Sequence, residues 1–160
     1  MKDNCFNEYD PSAIDVNQAI SKIKKTIKSV KSHELVRIKD SIGRVLAKNI
    51  KSTLNVPNYK NSAMDGYAIS MKDINSNINE FEHVGDSFAG HSYEKNLKAN
   101  QTVKVMTGGK VPKNCNAVVM QEMTSKKNNK IIIKSKVSHN QNIRFPGEDI
   151  KKGSLLLKAG

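Results

Sequence analysis

The stretch Val56-Pro57-Asn58-Tyr59-Lys60-Asn61-Ser62-Ala63-Met64-Asp65-Gly66-Tyr67-Ala68-Ile69 sets a rigid turn in front of a strand. Pro57 fixes one backbone angle, and Asn61 and Ser62 carry side chains that bond their own backbone. Asp65-Gly66 is a tight-turn dipeptide, and Gly66 to Ser70 reads as the strand it feeds. Such a turn can hold the Asp65 carboxylate at a strand edge facing a cleft. From local sequence alone the plainer reading is favoured, in which Asp65 only stabilises the turn, because Asp-Gly turns are common.

Downstream, short strands alternate with Gly, Asn and Pro turns: Gln101 to Met106, Ala117 to Gln121, Lys130 to Lys134 and Ser154 to Leu157. Lys126-Lys127-Asn128-Asn129 fits a hairpin turn ahead of Ile131-Ile132-Ile133. Upstream the texture differs. Val16, Ala19, Ile20, Ile23, Ile27 and Val30 recur at helical spacing, which predicts an amphipathic helix over Asp15 to Val30. Asp15 is its expected cap, with Gln18 three residues on, and its lysines form a solvated face. A short strand over Leu35 to Lys39, a short helix from Asp40 to Ala47 and a strand over Ile50 to Thr53 are expected next. The fold class is therefore α+β, helix first and then strand-dominated.

A chain of 160 residues suffices for one ordinary domain or two small ones. No segment approaches the ~18 apolar residues of a membrane span, and Met1 to Phe6 lacks the apolar core of a signal peptide. A cytosolic protein is expected, with no membrane partner. Cys5 and Cys115 match no metal-ligand spacing and read as free thiols. The net charge of +12 raises the question of nucleic acid. Only three of the 27 basic residues are arginine (Arg37, Arg44, Arg144) and 5% of residues are aromatic. Planar-fork phosphate and base readers are thus scarce, and nucleic acid is not the expected partner. The lysines are mixed with many Asn and Ile residues, as a compositional bias would mix them. The four histidines show no ligand spacing and read as surface or packing residues.

Two further segments carry candidate chemistry. In Val103-Lys104-Val105-Met106-Thr107-Gly108-Gly109-Lys110-Val111-Pro112 a strand runs into two glycines. Backbone N–H groups in such a turn can converge on an anion, Thr107 adds a hydroxyl and Lys110 adds positive potential. The spacing is not that of a P-loop, and a plain loop is the alternative. In Asn142 to Gly153 the adjacent carboxylates Glu148 and Asp149 suit Mg²⁺, and Arg144 suits a carboxylate or phosphate. A solvated acidic turn is the alternative there.

Taken together, these segments are more specific than any of them singly. Asn61-Ser62-Ala63-Met64-Asp65-Gly66-Tyr67-Ala68 closely resembles the signature of the molybdopterin molybdenumtransferase family, which includes MoeA and the E domain of gephyrin. Gly85-Asp86-Ser87-Phe88-Ala89-Gly90, Met106-Thr107-Gly108, Ala117 to Glu122 and Gly147-Glu148-Asp149-Ile150 with Gly153 resemble its later blocks, in order and at fitting distances. The resemblance covers nearly the whole chain and the N-terminal region of that family. It implies a discontinuous first domain from residues 1–53 and 143–160, with 54–142 inserted as a strand-rich second domain.

The resemblance also implies a reaction: molybdate is inserted into adenylylated molybdopterin, with Mg²⁺ as cofactor and release of AMP, by a homodimeric enzyme. Asp65, Thr107 and Asp149 match family positions that line the site and are the catalytic candidates. Asp65 and Asp149 are the candidate Mg²⁺ ligands. Ser62 and the Gly108 backbone are candidates for holding substrate or oxyanion. Family members are considerably longer, and the stop at Lys158-Ala159-Gly160, just after an apolar strand, reads as leading into a further element. The chain alone is expected to be inactive. The sequence departs from the common family pattern at Lys60, Gly109, Lys110, Phe145 and Pro146, which places Gly109-Lys110 as a more flexible, more positive turn. The competing readings are a non-catalytic dimerisation module and, behind it, a basic nucleic-acid binder.

Overall fold

The computed structural model describes residues 13–160, so Cys5 lies outside the described residues. Its contacts divide the chain into two units, Met1–Arg44 and Val45–Gly160.

In the first unit, α1 spans Val16–Thr26. Asp15 caps it, its carboxylate accepting from the N–H groups of Asn17 and Gln18 at 2.8 and 3.2 Å. The helix stops four residues before the expected Val30, because Ile27 turns to extended backbone. The sequence there explains the stop. Thr26, Ile27 and Val30 are β-branched, and the Thr26 hydroxyl donates back to the Lys22 carbonyl at 2.9 Å. The strand expected over Leu35 to Lys39 and the helix expected over Asp40 to Ala47 do not form. A single 3₁₀ turn at Ile38–Asp40 takes their place. Leu35, Ile38 and Ile42 are almost fully exposed, so neither element has an apolar face to pack, and short elements without packing are marginal.

The second unit holds the strands. In chain order they are β1 Ile50–Lys51, β2 Asn61–Ser62, β3 Gly66–Ile69, β4 Glu80–Ser87, β5 Gln101–Val105, β6 Ala117–Met120, β7 Thr124–Lys127, β8 Lys130–Ile133, β9 Ile143–Arg144 and β10 Leu155–Leu157, with the short helix α2 at Met71–Asn75. β1 pairs with β10, and β2 with β9, both antiparallel. The other six make one sheet in the order β6-β3-β5-β4-β8-β7. Only β4 and β5 run parallel within it. Residues 88–100 make the crossover such a pair requires. The hairpin falls where expected: Lys127 pairs with Lys130 across Asn128-Asn129, and Asn128 takes the positive φ of 56° that a tight hairpin demands.

Both sheet faces are covered. Neighbours on a strand point to opposite faces, so Ala68 and Val118 join one buried cluster with Val103, Val105 and Cys115. Ile69 and Val119 join the other, with Phe81, Ala117 and Ile133. This double burial goes with the interior position of β3 and β5 in the sheet, and the residues just outside their ends form the candidate site.

Candidate active site around Asp65

Asp65 sits immediately before β3, and Thr107 two residues after β5. β3 and β5 are antiparallel, with Gly66 opposite Val105, so the start of one meets the end of the other. The contact is a double hydrogen bond. Asp65 Oδ1 accepts from the Thr107 backbone N–H at 2.7 Å and from the Thr107 hydroxyl at 2.8 Å. These two bonds, the backbone one first, hold the Asp65 carboxyl below the ordinary carboxylate range, and the Lys104 charge adds to them. Asp65 is therefore an ionised acceptor at neutral pH rather than a base poised near it. Oδ2 has no hydrogen-bond partner among the described residues.

Ser62 and Gly108 belong to the same cluster. Gly108 N–H donates to the Ser62 carbonyl at 2.9 Å, and Ser62 N–H donates to the Gly109 carbonyl at 3.0 Å. The buried Ser62 hydroxyl donates to the Met64 carbonyl at 2.6 Å, which sets the turn leading to Asp65. Gly109 N–H donates to Met106 at 2.7 Å. The N–H groups of Thr107, Gly108 and Gly109 are thus all engaged internally, and the anion-holding turn that the sequence suggested has no free donor in this conformation.

Two glycines are set by close approach. A Cβ on Gly66 would lie 2.1 Å from the Val119 carbonyl oxygen, and one on Gly109 would lie 2.5 Å from that of Ser87. Gly109 is therefore a packing position and not the flexible joint expected from its departure from the family pattern. Lys110 adds no free charge either, because its Nζ is bound to both Glu94 carboxylate oxygens at 2.7 and 2.9 Å. Lys60, another departure, donates to the Cys115 and Lys113 carbonyls at 2.6 and 3.4 Å.

Asp149 lies on the turn after β9. That turn is tied to the chain before β2: Asp149 N–H donates to the Val56 carbonyl at 2.9 Å, and Val56 bridges Ile150. The Asp149 carboxylate is paired with Arg144, which also reaches Glu148 at 3.5 Å. Arg144 is held above its ordinary pKa by Asp149 first of all. No hydrogen bond joins Asp149 to Asp65 or Thr107 among the described residues. Ser62, Asp65, Thr107 and Gly108 are brought into one bonded group, and Asp149 stands on a neighbouring turn.

Mg²⁺ takes one or two carboxylates together with waters and substrate oxygens. The donor set fits that use in part. Asp65 offers an open carboxylate oxygen, whereas the Asp149 carboxylate is engaged by Arg144. No group of three or more His, Cys, Asp or Glu side chains able to hold a metal occurs among the described residues. His83 plays the packing part expected of it, its ring edge-on to Tyr67 with centroids 6.0 Å apart.

Known proteins match this architecture. The family described as MoeA N-terminal region (domain I and II) matches residues 14–160. The molybdopterin molybdenumtransferase of Haemophilus influenzae is 34% identical over 148 residues, covering 92% of this chain and 36% of that protein. The molybdopterin molybdenumtransferase of Nostoc sp. is 33% identical over 153 residues, covering 93% and 35%. A crystal structure of the molybdopterin biosynthesis moeA protein of Pyrococcus horikoshii OT3 matches with a TM-score of 0.81 and 34% identity, over 90% of this chain and 39% of that one. The chain spans about a third of the length of these curated relatives. With the match running over nearly all of its residues, the chain belongs to the MoeA N-terminal region family.

Proposed function

We propose that this chain supplies the N-terminal part of a molybdopterin molybdenumtransferase, acting in molybdenum cofactor biosynthesis on adenylylated molybdopterin and molybdate with release of AMP. One observation carries the reading beyond family membership: the Asp65 carboxylate is ionised, one of its oxygens is fixed by Thr107 and the other is open. A fixed carboxylate with one open oxygen suits a hard cation or a polarised water beside a phosphate group. Mg²⁺, when bound, would supply charge neutralisation at phosphate oxygens, and Asp65 would be the residue to hold it. Thr107 orients Asp65, and Ser62 and Gly108 hold the two loops in register. Asp149 with Arg144 offers one charge of each sign on the neighbouring turn.

The reading includes a homodimer in the cytoplasm. It also takes residues 1–53 and 143–160 as one domain with 54–142 inserted, which the β1–β10 pairing supports by joining the two ends of the second unit. The test is a graft. These 160 residues replace the corresponding part of the Haemophilus influenzae relative, and cofactor formation from adenylylated molybdopterin and molybdate is measured. Activity close to that of the parent enzyme is expected. A folded graft with no activity overturns the reading.

A further inference from the structure

Four cationic side chains stand on the strands and loops that carry Asp65: Lys60, Lys104, Lys110 and Arg144. Three of them are committed. Lys60 donates to main-chain carbonyls, Lys110 is bound to Glu94 and Arg144 is paired with Asp149 and Glu148. Lys104 enters no ion pair among the described residues. Its register is informative. Lys104 is directly opposite Tyr67 on β3 and opposite Asp86 on β4, so the three side chains share one face of the sheet. Thr107 follows three residues later on the same chain, and the Lys104 charge is felt at Asp65. Tyr67 is only 7% exposed, yet its hydroxyl has no hydrogen-bond partner among the described residues. Tyrosine hydroxyls at buried positions ordinarily find a partner. Asp86 shares this face, with Oδ1 3.2 Å from His83 Nε2, and after burial its charge helps to hold the Tyr67 hydroxyl above its ordinary pKa. A lysine and a tyrosine hydroxyl, neither with a partner among the described residues, are therefore cross-strand neighbours on the face that also carries Asp86, and the Lys104 charge reaches Asp65.

We propose that Lys104 and Tyr67 form an anion-binding subsite beside Asp65, accepting a tetrahedral oxyanion, the chemistry shared by a phosphate group and by molybdate. This rests on the function proposed above and names the residues of this chain that would meet the anionic part of its substrates. Side chains have to do this work, because the Thr107, Gly108 and Gly109 N–H groups are already engaged. Lys104 supplies the charge and Tyr67 a directed donor. Asp65 and Asp86 flank the subsite and oppose a bare dianion, so affinity for a free anion is on the order of millimolar.

The test is an amide-resolved NMR titration of the 160-residue chain with inorganic phosphate and, separately, with sodium molybdate. Saturable shifts at Tyr67 and Lys104 are expected with at least one of the two, and which one identifies the source of the oxyanion. Lys104→Met should weaken binding about tenfold, and Lys104→Arg should keep it within about threefold, because charge rather than shape is recognised. Tyr67→Phe should weaken it about threefold. Lys126→Met, on the far edge strand β7, controls for the overall positive charge and should leave binding unchanged. No saturable binding of either anion, or a Lys104→Met chain that binds as its parent does, overturns the proposal. The readout is binding and not turnover, so an inactive graft would count against the proposed function alone.

Discussion

Asp65 keeps its charge because Thr107 donates to a single oxygen twice, once from the backbone and once from the hydroxyl. Asp65→Asn keeps the size of the side chain and an oxygen for Thr107, and Asn serves a turn before glycine as well as Asp does. In the grafted full-length enzyme the substitution should lower cofactor formation at least about a hundredfold, with the thermal midpoint within a few degrees of the parent. Near-normal activity with an unchanged melt would reduce Asp65 to a turn residue. The same carboxyl makes an acid-side prediction. Its folded pKa lies below the ordinary 3.8, so its contribution to stability is complete above that pH and is lost as pH falls through the lower folded value. Unfolding midpoints between about pH 2 and pH 4 should fall less steeply in Asp65→Asn than in the parent. Cys115 acts at the other end of the scale. Burial pushes its thiol from 9.0 up to about 12, against a smaller opposing pull from Lys60. A thiol raised in the folded state stabilises fully below pH 9.0 and progressively less as pH rises toward about 12. In a Cys5→Ser background, a thiol reagent at about pH 8 should find no reactive group until denaturant is added. Rapid labelling of the native chain would contradict the burial of Cys115.

At the scale of elements, the site depends on β3 lying tightly between β5 and β6. Gly66 is the point of closest approach, with its missing Cβ 2.1 Å from the Val119 oxygen. Gly66→Ala must push β6 away from β3, break the pairing of Gly66 with Met120, and shift Asp65, whose carbonyl accepts from Gln121 at 3.1 Å. A loss of about 3 kcal/mol is expected in chemical denaturation, and an unchanged midpoint would show that the strands have room to spare. The legibility of the elements followed their burial. β5, β6 and β8 were readable because each holds a short apolar run, mostly β-branched, that is largely buried. β4 was not readable. Of its eight residues only Phe81 and Ser87 are buried, and its pairing with β5 slips between His83 and Asp86, so neither alternation nor an apolar run marks it. Asp65 and Thr107 were legible as a motif, but their mutual bond was not, because it joins residues 42 positions apart. Lys104 and Tyr67 went unnoticed for the same reason: only the β3–β5 register makes them neighbours.

At the scale of the whole molecule, two properties of the chain can be set against each other. The net charge of +12 is spread over many lysines, so weak, salt-sensitive adsorption to DNA or RNA is expected with no sequence preference, and sequence-specific binding at physiological salt would contradict it. The chemistry proposed above gathers around Asp65, and the groups found there supply only part of what it needs. Cleaving a phosphoanhydride needs the charge on several phosphate oxygens neutralised at once, with the attacking and leaving groups held in line. Near Asp65 the chain offers one carboxylate with an open oxygen, one unpaired lysine and no free backbone donor in the Thr107 to Gly109 turn. No cluster of three metal-binding side chains occurs among the described residues, and the curated relatives extend to nearly three times the length matched here. The 160-residue chain by itself is therefore expected to bind oxyanions weakly and to turn nothing over. AMP release from adenylylated molybdopterin, measured with molybdate and Mg²⁺ present, should stay at the rate without protein. Molybdate-stimulated release by this chain alone, abolished by Asp65→Asn, would show that the residues gathered around Asp65 are sufficient and that the remaining length of the relatives does other work.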